Sequence, residues 1–132
     1  MKTLGSHLVN GDTLAILVEF GKGHALLNAC LATPFDGRFA VYGTRGWIEI
    51  RDKSHPENPT GWTVIRQFTN RAREFADYGP ALSVRNNIEA FAKAAAGGPA
   101  YPVPQRQMID NIAALEAIFK SAKSGAIVEV ER

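Results

Sequence analysis

The residues of this chain that could do chemistry are few and scattered. The three histidines, His7, His24 and His55, fall in separate segments with no pair at ligand-like spacing, and the one cysteine, Cys30, cannot complete a zinc set. Solvated or hydrogen-bonded imidazoles are expected. Neither Cys30 nor any serine sits in a nucleophile elbow, so Cys30 reads as a small strand residue. Glu49 with Asp52, and Glu74 with Asp77, are the places where paired carboxylates could share general acid and base work. Each pair lies among arginines and lysines, which predicts solvated, charge-balanced side chains instead. Gly43-Thr44-Arg45-Gly46 has the form of the loop with which KH domains clamp nucleotides, but that loop joins helices and this one joins two strand-like runs. Hairpin geometry explains its glycines more simply. Gly37 to Tyr42 lacks the glycine and aromatic order of an RNA-recognition sheet motif. Neither GxGxxG nor a Walker A loop occurs, which removes the two commonest phosphate cradles from these residues.

The elements that would position such groups are bounded by composition. At 132 residues, with 45% hydrophobic and 21% charged side chains, the chain has the make-up of one globular domain, neither disordered nor collagen-like. Fifteen Lys and Arg against 13 Asp and Glu leave a net charge of +2, far below the excess of a phosphate-tracking surface, and no nucleic-acid partner is expected. No apolar run approaches the roughly 18 residues of a membrane helix, the first residues carry no apolar signal core, and a single cysteine forms no internal disulfide. A cytoplasmic protein with no membrane partner is expected.

Asp12 to Phe20 alternates with the two-residue period of a strand, turns at Gly21-Lys22-Gly23, and returns as His24 to Ala32. A second hairpin runs from Arg38 to Tyr42 and back from Trp47 to Arg51, with Gly43 and Gly46 placed where the turn needs glycine. Lys53 to Gly61 reads as an exposed connection, Trp62 to Phe68 as a strand, and residues 69–80 fit a helix face or a solvated segment equally well. Val84, Ile88, Phe91 and Ala95 recur at helical spacing behind a candidate cap, Ser83. A longer helix carries Met108, Ile112, Leu115, Ile118 or Phe119, and Ala122 on one stripe and stops at Gly125, and Ala126 to Val130 reads as a final strand. Strands first and helices later predict an α+β fold of two layers: a mostly antiparallel open sheet of about six strands with two main helices on one face.

One face of such a sheet collects Leu14, Ile16, Val18, Leu27, Leu31, Phe39, Val41, Ile48 and Ile50. The other collects Ala15, Leu17, Leu26, Cys30, Ala40, Tyr42 and Trp47 and is apolar and aromatic too. Two helices cover one side only, so the second face is expected to be an interface, with Tyr42, Trp47, Leu17 and Leu26 as its candidate residues. The competing reading is a register slip of one residue, which would exchange the two faces.

Residues 12–132 resemble the C-terminal domain of the glucose-fructose oxidoreductase, inositol dehydrogenase and MocA (Gfo/Idh/MocA) family. Val41-Tyr42-Gly43-Thr44-Arg45-Gly46-Trp47-Ile48-Glu49-Ile50 is similar to that family's strand-turn-strand V-Y-G-T-x-G-x-hydrophobic-E-hydrophobic. Leu115-Glu116-Ala117-Ile118-Phe119-Lys120-Ser121-Ala122-Lys123-Ser124-Gly125 is similar to its closing L-E-A-hydrophobic-x-x-S-A-x-x-G, and Asn87 to Ala94 with Gly97-Gly98-Pro99 to its helix and Gly-rich break.

The resemblance implies a sheet domain like the C-terminal domain of glyceraldehyde-3-phosphate dehydrogenase, helices on one face and subunit association through the other. It implies that residues 1–132 form a single domain that shapes a sugar or polyol pocket and forms a homo-oligomer through its sheet face. It also implies NAD or NADP for a full-length relative, bound by a Rossmann domain that these residues do not contain and that is missing or separate. The glycine fingerprint, the lysine of the family's E-K-P motif and the D-x-x-x-H aspartate and histidine have no counterpart here, and His7 does not stand in that motif. No catalytic, cofactor-binding or metal-binding residue is therefore carried over, and no cofactor is expected on this chain. Gly43 and Gly46 transfer as structural turn residues. The alternatives are a free-standing dimerisation or protein-interaction module that uses the open sheet face, and a small-ligand binding domain.

Overall fold

The computed structural model describes residues 3–4 and 12–131, and His7 lies outside them. The chain is α+β. Its element order is β1 (Thr3–Leu4), β2 (Thr13–Phe20), β3 (Gly23–Cys30), β4 (Arg38–Gly43), β5 (Gly46–Asp52), β6 (Trp62–Phe68), β7 (Glu74–Tyr78), α1 (Ser83–Ala95) and α2 (Gln105–Ser124). The strands divide between two antiparallel sheets, ordered β1-β2-β3 and β4-β5-β6-β7. Two compact units follow this division, one of residues 1–33 with 99–132 and one of residues 34–98.

In the first unit the β2–β3 hairpin turns at Gly21, whose φ of 43° is left-handed, and pairs Ile16 with Leu27 and Leu17 with Leu26. Ile16 is buried. Helix α2 approaches β1 and buries Ala117 and Ser121, two small residues one turn apart. Of the stripe expected to face the core, Met108, Ile112, Leu115 and Phe119 are largely exposed instead, and Ile118, the alternative to Phe119, is half-buried. Close approach favours small side chains over large ones, so the buried stripe is the one a hydrophobicity pattern undervalues. The helix ends where expected: Gly125 adopts φ 66°, its N–H donates to the Ser121 carbonyl, and the Ser121 hydroxyl donates to the Ala126 carbonyl at 2.7 Å. Residues 126–130 form no strand, which corrects the expectation of one there. Among the described residues no partner strand is paired with them.

The second unit is a meander in which each strand pairs with the next. Its ambiguous stretch resolves into β7: Glu74, Ala76 and Tyr78 share one face, and Phe75 and Asp77 the other. The charges that made it look solvated are paired: Glu74 with its cross-strand partner Arg66 at 2.8 Å, and Asp77 with Lys53, just beyond β5, at 2.9 Å. Ser83 does not cap α1. Leu82 occupies the cap position with no side-chain hydrogen bond, and no residue of this helix is buried.

Registers settle the two-face argument within each hairpin. Tyr42 lies opposite Trp47 and Phe39 opposite Ile50, so Phe39, Val41, Ile48 and Ile50 share one face and Ala40, Tyr42 and Trp47 the other. The one-residue slip does not occur.

Candidate functional site

The turn between β4 and β5 fixes the most organised surface of the second unit. Gly43 pairs with Gly46 across the two-residue loop Thr44-Arg45. Gly46 has φ 146°, and a Cβ there would lie 2.2 Å from the Gln67 carbonyl oxygen and 2.8 Å from the Phe68 Cα, so glycine is required both by conformation and by the close approach of β6. Gly43 is under no such constraint: the nearest atom to an added Cβ is 3.8 Å away. A shallow depression of about 420 Å³ opens beside this turn, between Tyr42, Trp47, Gln67 and Asn70.

From that turn one face of β4, β5, β6 and β7 carries a row of aromatic and charged groups. Tyr42 and Trp47 are tilted neighbours with ring centroids 6.4 Å apart, and the Arg73 guanidinium lies 5.2 Å from the Trp47 ring centre. Arg38 donates through Nη2 to the Tyr42 hydroxyl at 3.2 Å and through Nε to Glu49 Oε2 at 2.7 Å. Arg51 donates through Nε to Glu49 Oε1 at 2.6 Å. Each carboxylate oxygen of Glu49 thus holds one arginine. Further along, Asp77 accepts from the Thr63 hydroxyl at 2.8 Å and pairs with Lys53.

Glu49 is only 7% exposed, which corrects the expectation of a solvated carboxylate. Ala40 stands opposite it in the register and leaves room for the side chain to lie along the sheet. The Arg51 hydrogen bond, with Arg38 adding to it against the opposing effect of burial, holds the Glu49 carboxyl below its ordinary range. Asp77 is lowered too, by Lys53 first and Thr63 second.

The paired carboxylates suggested by spacing do not meet. Asp52 lies on the opposite face from Glu49, and Glu74 on the opposite face from Asp77, as strand alternation requires. His24 stands opposite Glu19 in the first unit. His55 meets Phe35 edge-on at 4.9 Å. Cys30 accepts a hydrogen bond from the Thr13 hydroxyl at 3.4 Å. Among the described residues no group of His, Cys, Asp and Glu could hold a metal ion, and no helix is long and apolar enough to cross a membrane. Of the four candidate interface residues, Tyr42 and Trp47 are neighbours in one sheet and Leu17 and Leu26 in the other. Sequence reasoning missed Arg38, Arg51 and Arg73 as companions of Tyr42 and Trp47, although the alternation of β5 places Trp47, Glu49 and Arg51 on one side.

Neither described helix begins as a dinucleotide cradle does. Proline and apolar residues precede both, Pro80-Ala81-Leu82 before α1 and Pro102-Val103-Pro104 before α2, where a pyrophosphate would need a glycine turn. Neither helix start among the described residues therefore fits a dinucleotide pyrophosphate.

The chain thus combines two antiparallel sheets and two helices in an α+β fold. Comparison with known families makes this specific: residues 2–130 match the model of the oxidoreductase family's C-terminal alpha/beta domain, and the chain belongs to the Gfo/Idh/MocA family. It is similar to a D-xylose 1-dehydrogenase (NADP(+)) of Haloferax volcanii, 26% identical over 116 residues that cover 87% of this chain and 35% of that protein. The chain therefore spans about a third of the length of this curated relative. No solved structure matches it.

Proposed function

We propose that these residues are the substrate-side and oligomerisation domain of an NAD(P)-dependent oxidoreductase acting on a sugar, polyol or related small molecule. The observation that carries this reading is the family match across residues 2–130 to a C-terminal domain. The name of the relative, a sugar dehydrogenase that uses NADP, supports the substrate and cofactor classes. In this reading the cofactor and hydride transfer belong to a nucleotide-binding domain, while this sheet domain shapes the substrate side and joins subunits. The 132-residue chain alone is inactive.

Titration calorimetry of this chain with NADPH and NADH tests the division of labour. No saturable binding is expected, and a tight dinucleotide complex would overturn it. An immunoblot of the source cells tests the context: a band far above 14.3 kDa is expected. A band near that mass favours the second reading, a free-standing interaction module, which the exposure of Phe39, Val41 and Tyr42 on the two faces of one sheet also supports.

A further inference from the structure

We propose that Arg38 and Arg51, held side by side by Glu49, form a binding site for a small oxyanion, a phosphate or a carboxylate group.

Arg38 and Arg51 are direct cross-strand partners, an arrangement of like charges that destabilises a sheet unless something compensates it. Glu49 compensates only half of it, because two guanidiniums share one buried carboxylate, and the other positive charge is met only by the exposed Asp36, 3.7 Å from Arg51. The carboxylate also does more than neutralise: by binding each arginine through Nε it fixes the orientation of both planes. The outer edges remain open. Among the described residues, Arg38 Nη1 and Arg51 Nη2 have no acceptor within hydrogen-bond distance, and Arg51 Nη1 meets Asp36 Oδ1 only at 3.7 Å. Both arginine side chains are close to half exposed, 45% and 46%, so an incoming anion reaches them without opening the sheet.

Tyr42 adds a donor. Its oxygen accepts from Arg38 Nη2, which leaves its own O–H proton free to donate outward. An oxyanion placed over the two guanidiniums would replace water with charge-assisted hydrogen bonds to groups that are already oriented, so little side-chain freedom is lost on binding. Asp36, 70% exposed and 3.7 Å from Arg51 Nη1, is the built-in competitor.

The test is calorimetric titration of the whole chain with inorganic phosphate and, separately, with acetate, at ionic strength held constant with chloride. Saturable phosphate binding is expected. Acetate binding alongside it would mean that any oxyanion is taken, and its absence that a phosphate group is preferred. Failure of both anions to bind overturns the proposal. Arg51→Gln should weaken binding by about tenfold, the scale of one charge-assisted contact. Asp36→Asn should tighten it by about threefold by removing an exposed competing charge. Unchanged affinity in Arg51→Gln overturns the site. Should that variant fail to fold, Asp36→Asn decides alone, since its side chain meets only Arg51 among the described residues, and no tightening overturns the proposal. Because NADPH itself carries phosphate groups, its titration is repeated with Arg51→Gln: NADPH binding that is lost together with phosphate binding belongs to this site, and binding that persists belongs to a dinucleotide site elsewhere.

Discussion

Glu49 is the residue on which the charged face of the second sheet depends. Replacing it with Gln keeps the shape but removes the charge from both hydrogen bonds and leaves Arg38 and Arg51 facing each other. A loss of about 1–3 kcal/mol is expected, because the carboxylate is buried while its arginine partners are half exposed and partly screened. Since the folded carboxyl is held below its ordinary range, its contribution is complete above the unfolded value and is lost as pH falls through about 4.3 and below. Urea unfolding at pH 7 and pH 3 should therefore show a larger acid loss in the natural chain than in Glu49→Gln, and equal losses would contradict this account. The role was half legible. Alternation places Glu49 with Trp47 and Arg51, but nothing local announces that the facing residue is Ala40, and it is this small partner that allows the carboxylate to sink between two arginines.

Among the elements, the hairpins were readable and the helix faces were not. Strand alternation and glycine turns are local, and they place β2 to β6 within a residue or two. The β4–β5 turn gives the sharpest check. Gly46→Ala must either abandon φ 146° or push β6 away, and a loss of about 2–4 kcal/mol is expected. Gly43→Ala meets nothing closer than 3.8 Å and should change stability by less than about 1 kcal/mol. Thermal unfolding of the two variants would show the contrast, and similar melting temperatures would remove Gly46 from its assigned role. β7 was hidden because its charges, Glu74 and Asp77, serve opposite faces and look like a solvated run until Arg66, Lys53 and Thr63 are placed beside them. The helix faces failed for the reverse reason. Apolar spacing marks Met108, Ile112 and Leu115, but the buried positions are the small residues Ala117 and Ser121, and which stripe is buried is a property of the assembled unit.

At the scale of the whole molecule, the second sheet presents two surfaces of different chemistry. One is aliphatic and aromatic: Phe39 is 63% exposed and Val41 55%. The other sets Tyr42, Trp47, Arg38 and Arg73 around the buried Glu49, and Tyr, Trp and Arg are the residue types that dominate binding energy at protein interfaces. Continuous apolar surface of the first kind usually lies against another part of the same polypeptide or an obligate partner, whereas the mixed surface suits a self-complementary contact in which the Tyr42 and Trp47 rings of each copy meet the other's. If the proposed homo-oligomer forms through the Tyr42 and Trp47 face, the two surfaces separate experimentally. Trp47→Asp removes the ring and puts a carboxylate in the contact, and should raise the dissociation constant by about 30-fold or more. Val41→Lys, on the opposite face of the neighbouring strand, should leave association unchanged. Sedimentation at several concentrations reads both variants, with circular dichroism confirming that the strands persist. Dissociation by Val41→Lys alone would move the subunit contact to the aliphatic face.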